Sequence, residues 1–378
     1  MQAPSSKKSD LKAVISLFLK MGILSFGGPA AHTAMMEQEV VQKRKWIDKQ
    51  HFLDLLGATN LIPGPNSSEM AMHIGHEKAG FKGLIFAGMA FIIPACLISG
   101  VFAWFYVSYG ELPAVQPMIA GIKPAVLAII AMAVFSLGKK AVKGPETAIL
   151  GVLVLAAGIA GLSELTAMIL AGIAGTTFFY FKNRQQKLNS IAPFIALPVL
   201  SLFSGISISG IFWIFLKIGS LLYGGGYVLF AFLDAELVQN GLLSRNELMD
   251  AVAVGQFTPG PILSTATFIG YIMAGIPGAL AATAGVFLPS FIFVAILNPL
   301  IPRLRKSKLA GNFLDSVNVA SVAVMASVLF SMAIDTLQTW QTISICLAAF
   351  MYIILSKNYS SVFLVVGGAV AGFLLHLV

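Results

Sequence analysis

FLKMGILSFGGP, residues 18–29, returns as FLKIGSLLYGGG, residues 215–226, at an offset of 197. Working outward, Glu39-Val40-Val41-Gln42 meets Glu236-Leu237-Val238-Gln239 at the same offset. Asp54 and Pro63-Gly64-Pro65 meet Asp250 and Pro259-Gly260-Pro261 at 196. Ile74-Gly75, Gly83 and Pro94 meet Ile269-Gly270, Gly278 and Pro289 at 195. So few gaps between rare residues make the chain two homologous halves, a duplication of the kind that internal repeats reveal.

The 378 residues are 57% hydrophobic and 11% charged, against about 25% charged in soluble domains. In water such a surface would be one adhesive patch, so the chain reads as an all-α polytopic membrane protein. The net charge of +8 is spread in short clusters between apolar stretches. That pattern signals topology and no nucleic-acid partner. Cys96 and Cys346 lie in apolar runs without a second ligand at metal spacing and read as small buried hydrophobes. The first apolar run lacks a cleavage-site pattern, so it is expected to stay in the mature protein.

Charge also gives the orientation of the halves. The loop near 109–117 carries only Glu111, whereas its counterpart carries Arg303, Arg305, Lys306 and Lys308. The next loop reverses this, with Lys139, Lys140 and Lys143 against Asp335. Positive loops stay in the cytoplasm, so the halves are inverted-topology repeats, an architecture of secondary transporters. Each has about six helical segments. The first repeat is assigned to 1–187, a linking transmembrane helix to 188–208 and the second repeat to 209–378. The N-terminus is expected inside the cytoplasmic (inner) membrane and the C-terminus outside. Basic residues before and after the first segment require residues 13–40 to enter and return, and Pro63-Gly64-Pro65 breaks the second segment. Both are expected to be broken or re-entrant. The 146–160 segment is short for a span of about 20 residues.

A Pro-Gly-Pro break ends one helix and opens the next. Near it, N–H groups and side-chain donors of Asn66, Ser67 and Ser68 suit an oxyanion. Pro259, Gly260, Pro261 and Ser264 repeat the device, and Asn60 and Gln256 flank the two breaks. A packing kink is the bland alternative. Gly27-Gly28 and Gly224-Gly225-Gly226 either permit close helix packing or bare amides for an anion. Lys20 and Lys217, one to two turns earlier, either attract the anion or snorkel to the interface. Glu69 and His73, at i and i+4, fit a proton relay or a structural pair. His73-Ile74-Gly75-His76-Glu77 has neither order of a zinc helix. No phosphate loop or nucleophile elbow occurs, so neither an enzyme, a metal nor a cofactor is expected.

Taken together, FLKMGILSFGGP, KRKWIDKQHFLDLLGATNLIPGPNS, IGHEKAGFKG and their second copies resemble the chromate ion transporter (CHR) family, in its long two-domain form, over nearly the whole chain. The resemblance implies export of chromate by secondary transport on the proton-motive force. It points to Gly27, Gly28, Pro63, Gly64, Pro65 and Asn66, and to Gly224, Gly225, Gly226, Gln256, Pro259, Gly260 and Pro261. The chain departs from the family pattern at Asn60, where Gln is expected, and within NSSEMAMHIGH. Sulfate is a tetrahedral dianion of similar size, so a carrier of sulfate or another oxyanion, or a passive anion channel, shares these features. Oligomeric state is open, a homodimer being one option.

Overall fold

The computed structural model describes residues 7–25, 28–59, 62–113, 115–162, 164–182, 207–223, 226–297, 308–356 and 360–376. The segment assigned to the linking helix falls almost wholly outside them. Every regular element described is helical. The first repeat comprises α1 (Lys7–Leu24), α2 (Gly28–Glu37) running into a π-helix (Gln38–Lys43), α3 (Lys49–Thr59), α4 (Asn66–Tyr109), α5 (Gln116–Ala141), α6 (Pro145–Ile159) and α7 (Glu164–Lys182). The second repeats the order. It has α8 (Ile208–Leu221), a 3-10 turn (Gly226–Val228), α9 (Leu229–Leu233) and a π-helix (Asp234–Val238). Then come α10 (Arg245–Phe257), a 3-10 turn (Ile262–Ser264), α11 (Thr265–Leu297), α12 (Lys308–Thr336), α13 (Trp340–Leu355) and α14 (Ser361–His376).

α4 and α11 each consist of two helical limbs that meet at a sharp bend. Ala79 and Gly80 leave helical geometry, Gly80 at φ 64°, and Ala274 and Gly275 do so at equivalent places, Gly275 at φ 60°. Only glycine adopts such φ values without strain. Gly75 then lies against the Gly83 carbonyl, and Gly270 against that of Gly278. Eight residues along a straight helix would separate such pairs by about 12 Å. Each long element is therefore a hairpin of a short and a long limb.

Ion pairs fix which ends lie together. Asp10 at the start of α1 meets Lys78 at the α4 bend, 2.8 Å apart, and His51 near the start of α3 meets Glu77. Lys49 reaches Glu37, and Trp46 lies between Arg44 and Lys78. So α1 leaves this end, the α2/π segment returns to it, α3 leaves it again and the short limb of α4 comes back. Both segments thus leave this end and return to it, the first as its flanking basic residues require and the second across its Pro63-Gly64-Pro65 break. The 11 residues of α3 span about 16 Å, half of a hydrocarbon core of about 30 Å.

The opposite end has its own cluster. Asp250 of α10 accepts from the Tyr106 hydroxyl of α4 at 2.8 Å and pairs with Lys123 of α5 at 3.3 Å. Arg245 of α10 bridges Asp234 and Asp335, the latter near the end of α12. Lys143, just past α5, meets Asp315 near the start of α12. The equivalent helices α5 and α12 therefore run in opposite directions, and the repeats are inverted.

The halves interleave. α13 and α14 of the second repeat pack on α5 of the first, and α6 and α7 of the first pack on α12. Glycines let these backbones approach: a side chain at Gly121 would strike the Gly368 carbonyl and Gly372. Buried Ala125–Ile130, with Val317 and Val319–Met325, pack in the core. Outward faces carry exposed apolar residues such as Ile149, Leu153, Leu280, Leu347 and Phe363. Among the described residues, four helices, α4, α5, α11 and α12, contain stretches long and apolar enough to cross a membrane. α6 stays short, at 15 residues.

Candidate functional site: the paired helix breaks

Pro63-Gly64-Pro65 lies between α3 and α4, and Pro259-Gly260-Pro261 between α10 and the turn opening α11. All six residues are buried. Proline removes the donors that would continue each helix. Gly64 (φ 144°) and Gly260 (φ 88°) adopt backbone conformations that favour glycine.

The two breaks are tied across the halves. Gly64 N–H donates to the Leu222 carbonyl at 2.7 Å, and Gly260 N–H donates to the Ser25 carbonyl at 2.9 Å. Leu222 and Ser25 are equivalent residues just past the ends of α8 and α1. Helix ends leave carbonyls that must find donors, and here each half supplies the donor to the other. The glycine amides are thus engaged in this conformation, which leaves any anion to the side chains and first-turn amides beyond them.

The seats differ in chemistry. The Cβ that Gly64 lacks would collide with the Glu69 carboxyl and the Ser290 hydroxyl, which face each other without closing a bond of ordinary geometry. At Gly260 the neighbours are the Ala95 methyl and the Gly22 carbonyl. Ala95 is the equivalent of Ser290, and Thr265 of Glu69. Seat one presents polar side chains, seat two a methyl group and backbone carbonyls.

Around the breaks, buried polar atoms have no hydrogen-bond partner among the described residues. They include Ser25 Oγ, Ser67 Oγ, Ser68 Oγ, both Glu69 carboxyl oxygens, Gln256 Nε2, Ser264 Oγ and Ser290 Oγ. Native interiors satisfy roughly nine in ten such groups, so this concentration at two broken helices suits a polar ligand. Asn66, half-buried, starts α4, and His73 is fully buried one turn beyond Glu69.

Other expected residues lie elsewhere. Lys217 is held by Glu236 at 2.7 Å, and Lys20 is exposed on α1. Gly28 starts α2 and buried Gly226 starts a 3-10 turn. Asn60, Gly27, Gly224 and Gly225 lie outside the described residues. At the first end, the hydrogen bond from Lys43 holds the Glu39 carboxyl below its usual range.

His32 was not singled out from the sequence. It is buried on α2, with Nε2 3.1 Å from the Ser25 carbonyl and its ring edge-on to Phe91 at 5.5 Å. It shares that carbonyl with Gly260. A lone histidine three residues after Pro29, among small residues, was the available signal.

Comparison with known proteins supplies the family. The chromate transporter profile matches residues 12–176 and again 209–373. The chain belongs to the chromate transporter family. It is 30% identical to a probable chromate transport protein of Synechococcus elongatus over 374 residues, covering 96% of this chain and 95% of that protein. It is also 30% identical to the chromate transport protein of Cupriavidus metallidurans, covering 96% and 92%. The uncharacterized transporter YwrB of Bacillus subtilis is 29% identical over 187 residues, 48% of this chain and 94% of its own length. That relative is about one repeat long. No solved structure matches.

Proposed function

We propose that this protein is a secondary transporter that exports chromate, or a tetrahedral dianion like it, across the cytoplasmic membrane. The N-terminus lies in the cytoplasm and the C-terminus outside, with a linking helix between the repeats, and the membrane potential, the proton gradient or both drive the cycle. The observation that carries this reading is the reciprocal tie of Gly64 to Leu222 and Gly260 to Ser25, amid buried hydroxyl, amide and carboxyl groups without partners. A site shared by both repeats changes as the repeats move against one another, which is what alternating access requires. Ser67, Ser68 and Ser290 offer hydroxyl donors, and the first turn of α4 adds the positive end of a helix dipole. Glu69 and His73 handle protons beside it.

The basic end, with Arg44, Lys45, Lys49 and Lys78, faces the cytoplasm by the positive-inside rule. The cluster of Asp250, Tyr106 and Lys123 joins the halves at the outer end. A negative interior favours expulsion of anions by about 2.3 kcal/mol per charge per 100 mV.

The test is chromate uptake into inside-out proteoliposomes, with voltage and pH gradients imposed separately and sulfate as competitor. Saturable uptake that sulfate blocks is expected. Flux proportional to concentration without saturation would make the protein a channel, and no uptake would remove chromate as the substrate.

A further inference from the structure

We propose that Glu69 takes part in oxyanion binding as a neutral carboxylic acid, so that each dianion crosses the membrane together with one proton. This rests on the reading of the breaks as the anion site and adds the sign of the coupling.

Glu69 is fully buried in the first turn of α4, and no hydrogen bond reaches either carboxyl oxygen among the described residues. No lysine or arginine among them pairs with it. The titratable groups around it are His73, one turn on along α4, and Tyr223, past the end of α8 and next to Leu222, on which Gly64 lands. From α11 the facing group is Ser290, a hydroxyl. A carboxylate here would occupy the α4 N-terminus and repel any anion approaching Ser67 and Ser68. A buried charge without a partner neutralises itself instead. As an acid, Glu69 changes from competitor to donor, adding one O–H to a set that is otherwise hydroxyls and amides. The second repeat has Thr265 in its place, so one such group serves the molecule.

The balance follows. The proton joins the Glu69 carboxylate from the side on which the dianion binds and leaves on the side of release, so one turnover moves a net single negative charge. In export, the membrane potential drives that charge outward, while an acidic exterior opposes the proton. Anion and proton travel in the same direction.

The full chain in proteoliposomes decides this, with chromate added at alkaline pH, where it is fully dianionic, and charge clamped by potassium and valinomycin. Chromate uptake should acidify the lumen by one proton per chromate in the wild type. Whatever chromate Glu69→Gln, which keeps a donor, still carries should enter with that ratio reduced to zero, and where it carries none the carbodiimide test below decides. Chromate uptake without acidification in the wild type, or equal acidification in Glu69→Gln, overturns the proposal. No chromate uptake by the wild type overturns the anion site itself. If Glu69→Gln yields no folded protein, a hydrophobic carbodiimide tests the wild type. Labelling of Glu69 that chromate suppresses is expected, and absent or chromate-insensitive labelling overturns the proposal.

Discussion

At Gly80 and Gly83, three residues apart, glycine is required for different reasons. Gly80 has positive φ and open space around it, whereas a methyl on Gly83 would strike the Gly75 carbonyl. Gly80→Ala therefore costs only backbone strain, about 1–2 kcal/mol. Gly83→Ala must part the limbs of the hairpin and should lower the unfolding temperature in detergent much further. Equal losses would refute the close approach. Gly260→Ala combines both penalties, since its methyl meets Ala95 and its φ disfavours a side chain. It should destabilise by about 1–3 kcal/mol and loosen the tie to Ser25. Chromate transport should fall more than protein level, measured as uptake per molecule in the membrane. The sequence displayed these glycines and their duplication, but not that their amides would be spent on the opposite half. Nothing local in Pro63-Gly64-Pro65 encodes a distant carbonyl at Leu222. His32 was hidden for the same reason: its partner, Ser25, is ordinary in sequence and matters because Gly260 also lands on it.

At the scale of elements, α10 is fastened over its first two turns more firmly than α3, its equivalent. Asp250 is 7% exposed and held by two residues of the first repeat, whereas the α3 pairs are exposed and stay within their own half. Asn318 stands where a second Lys123 would be. Lys123→Met should cost on the order of 3 kcal/mol by leaving Asp250 charged without its cation. Tyr106→Phe should cost about 1 kcal/mol. Adding Asp250→Asn to Lys123→Met should recover much of the first loss, and thermal unfolding of the wild type, the two single variants Lys123→Met and Asp250→Asn and their double checks the cycle. A double variant no more stable than Lys123→Met would mean that the pair does not hold α10. The return of the first segment was legible from the basic residues on both sides of it, and that of the second from its Pro63-Gly64-Pro65 break. The bends at Ala79-Gly80 and Ala274-Gly275 lay between segments already separated by pattern. That Lys217 pairs with Glu236 while Lys20 is exposed was not legible, because equivalent lysines sit in equivalent motifs and only packing separates them.

At the scale of the molecule, α6 and α7 belong to the first repeat in sequence and lie on the second in space, and α13 and α14 do the reverse. Neither repeat alone covers its own α5 or α12. Cutting the chain between 183 and 187, so that the second piece keeps the linking segment, and producing both pieces together should restore a complex that co-purifies and transports chromate. Either piece alone should be degraded, as membrane protein levels would show. Survival of one piece as a folded monomer would contradict the interleaving. Inversion was legible from loop charge, since lysines and arginines alternate sides between the copies. Interleaving was not, because the apolar faces of α6 and α13 carry no mark of which α5-type helix they prefer.

Interleaving also imposes a waiting time on biogenesis. α5 is complete at Ala141, yet the two helices that cover its small-residue face begin only at Trp340, about 200 residues later, or about 10–40 s at ribosomal speed. Throughout that interval the insertion machinery holds a helix whose small-residue face has nothing to press against. Loss of the last two helices, as from a late stop codon, would leave that vacancy permanent and expose the chain to quality-control proteases.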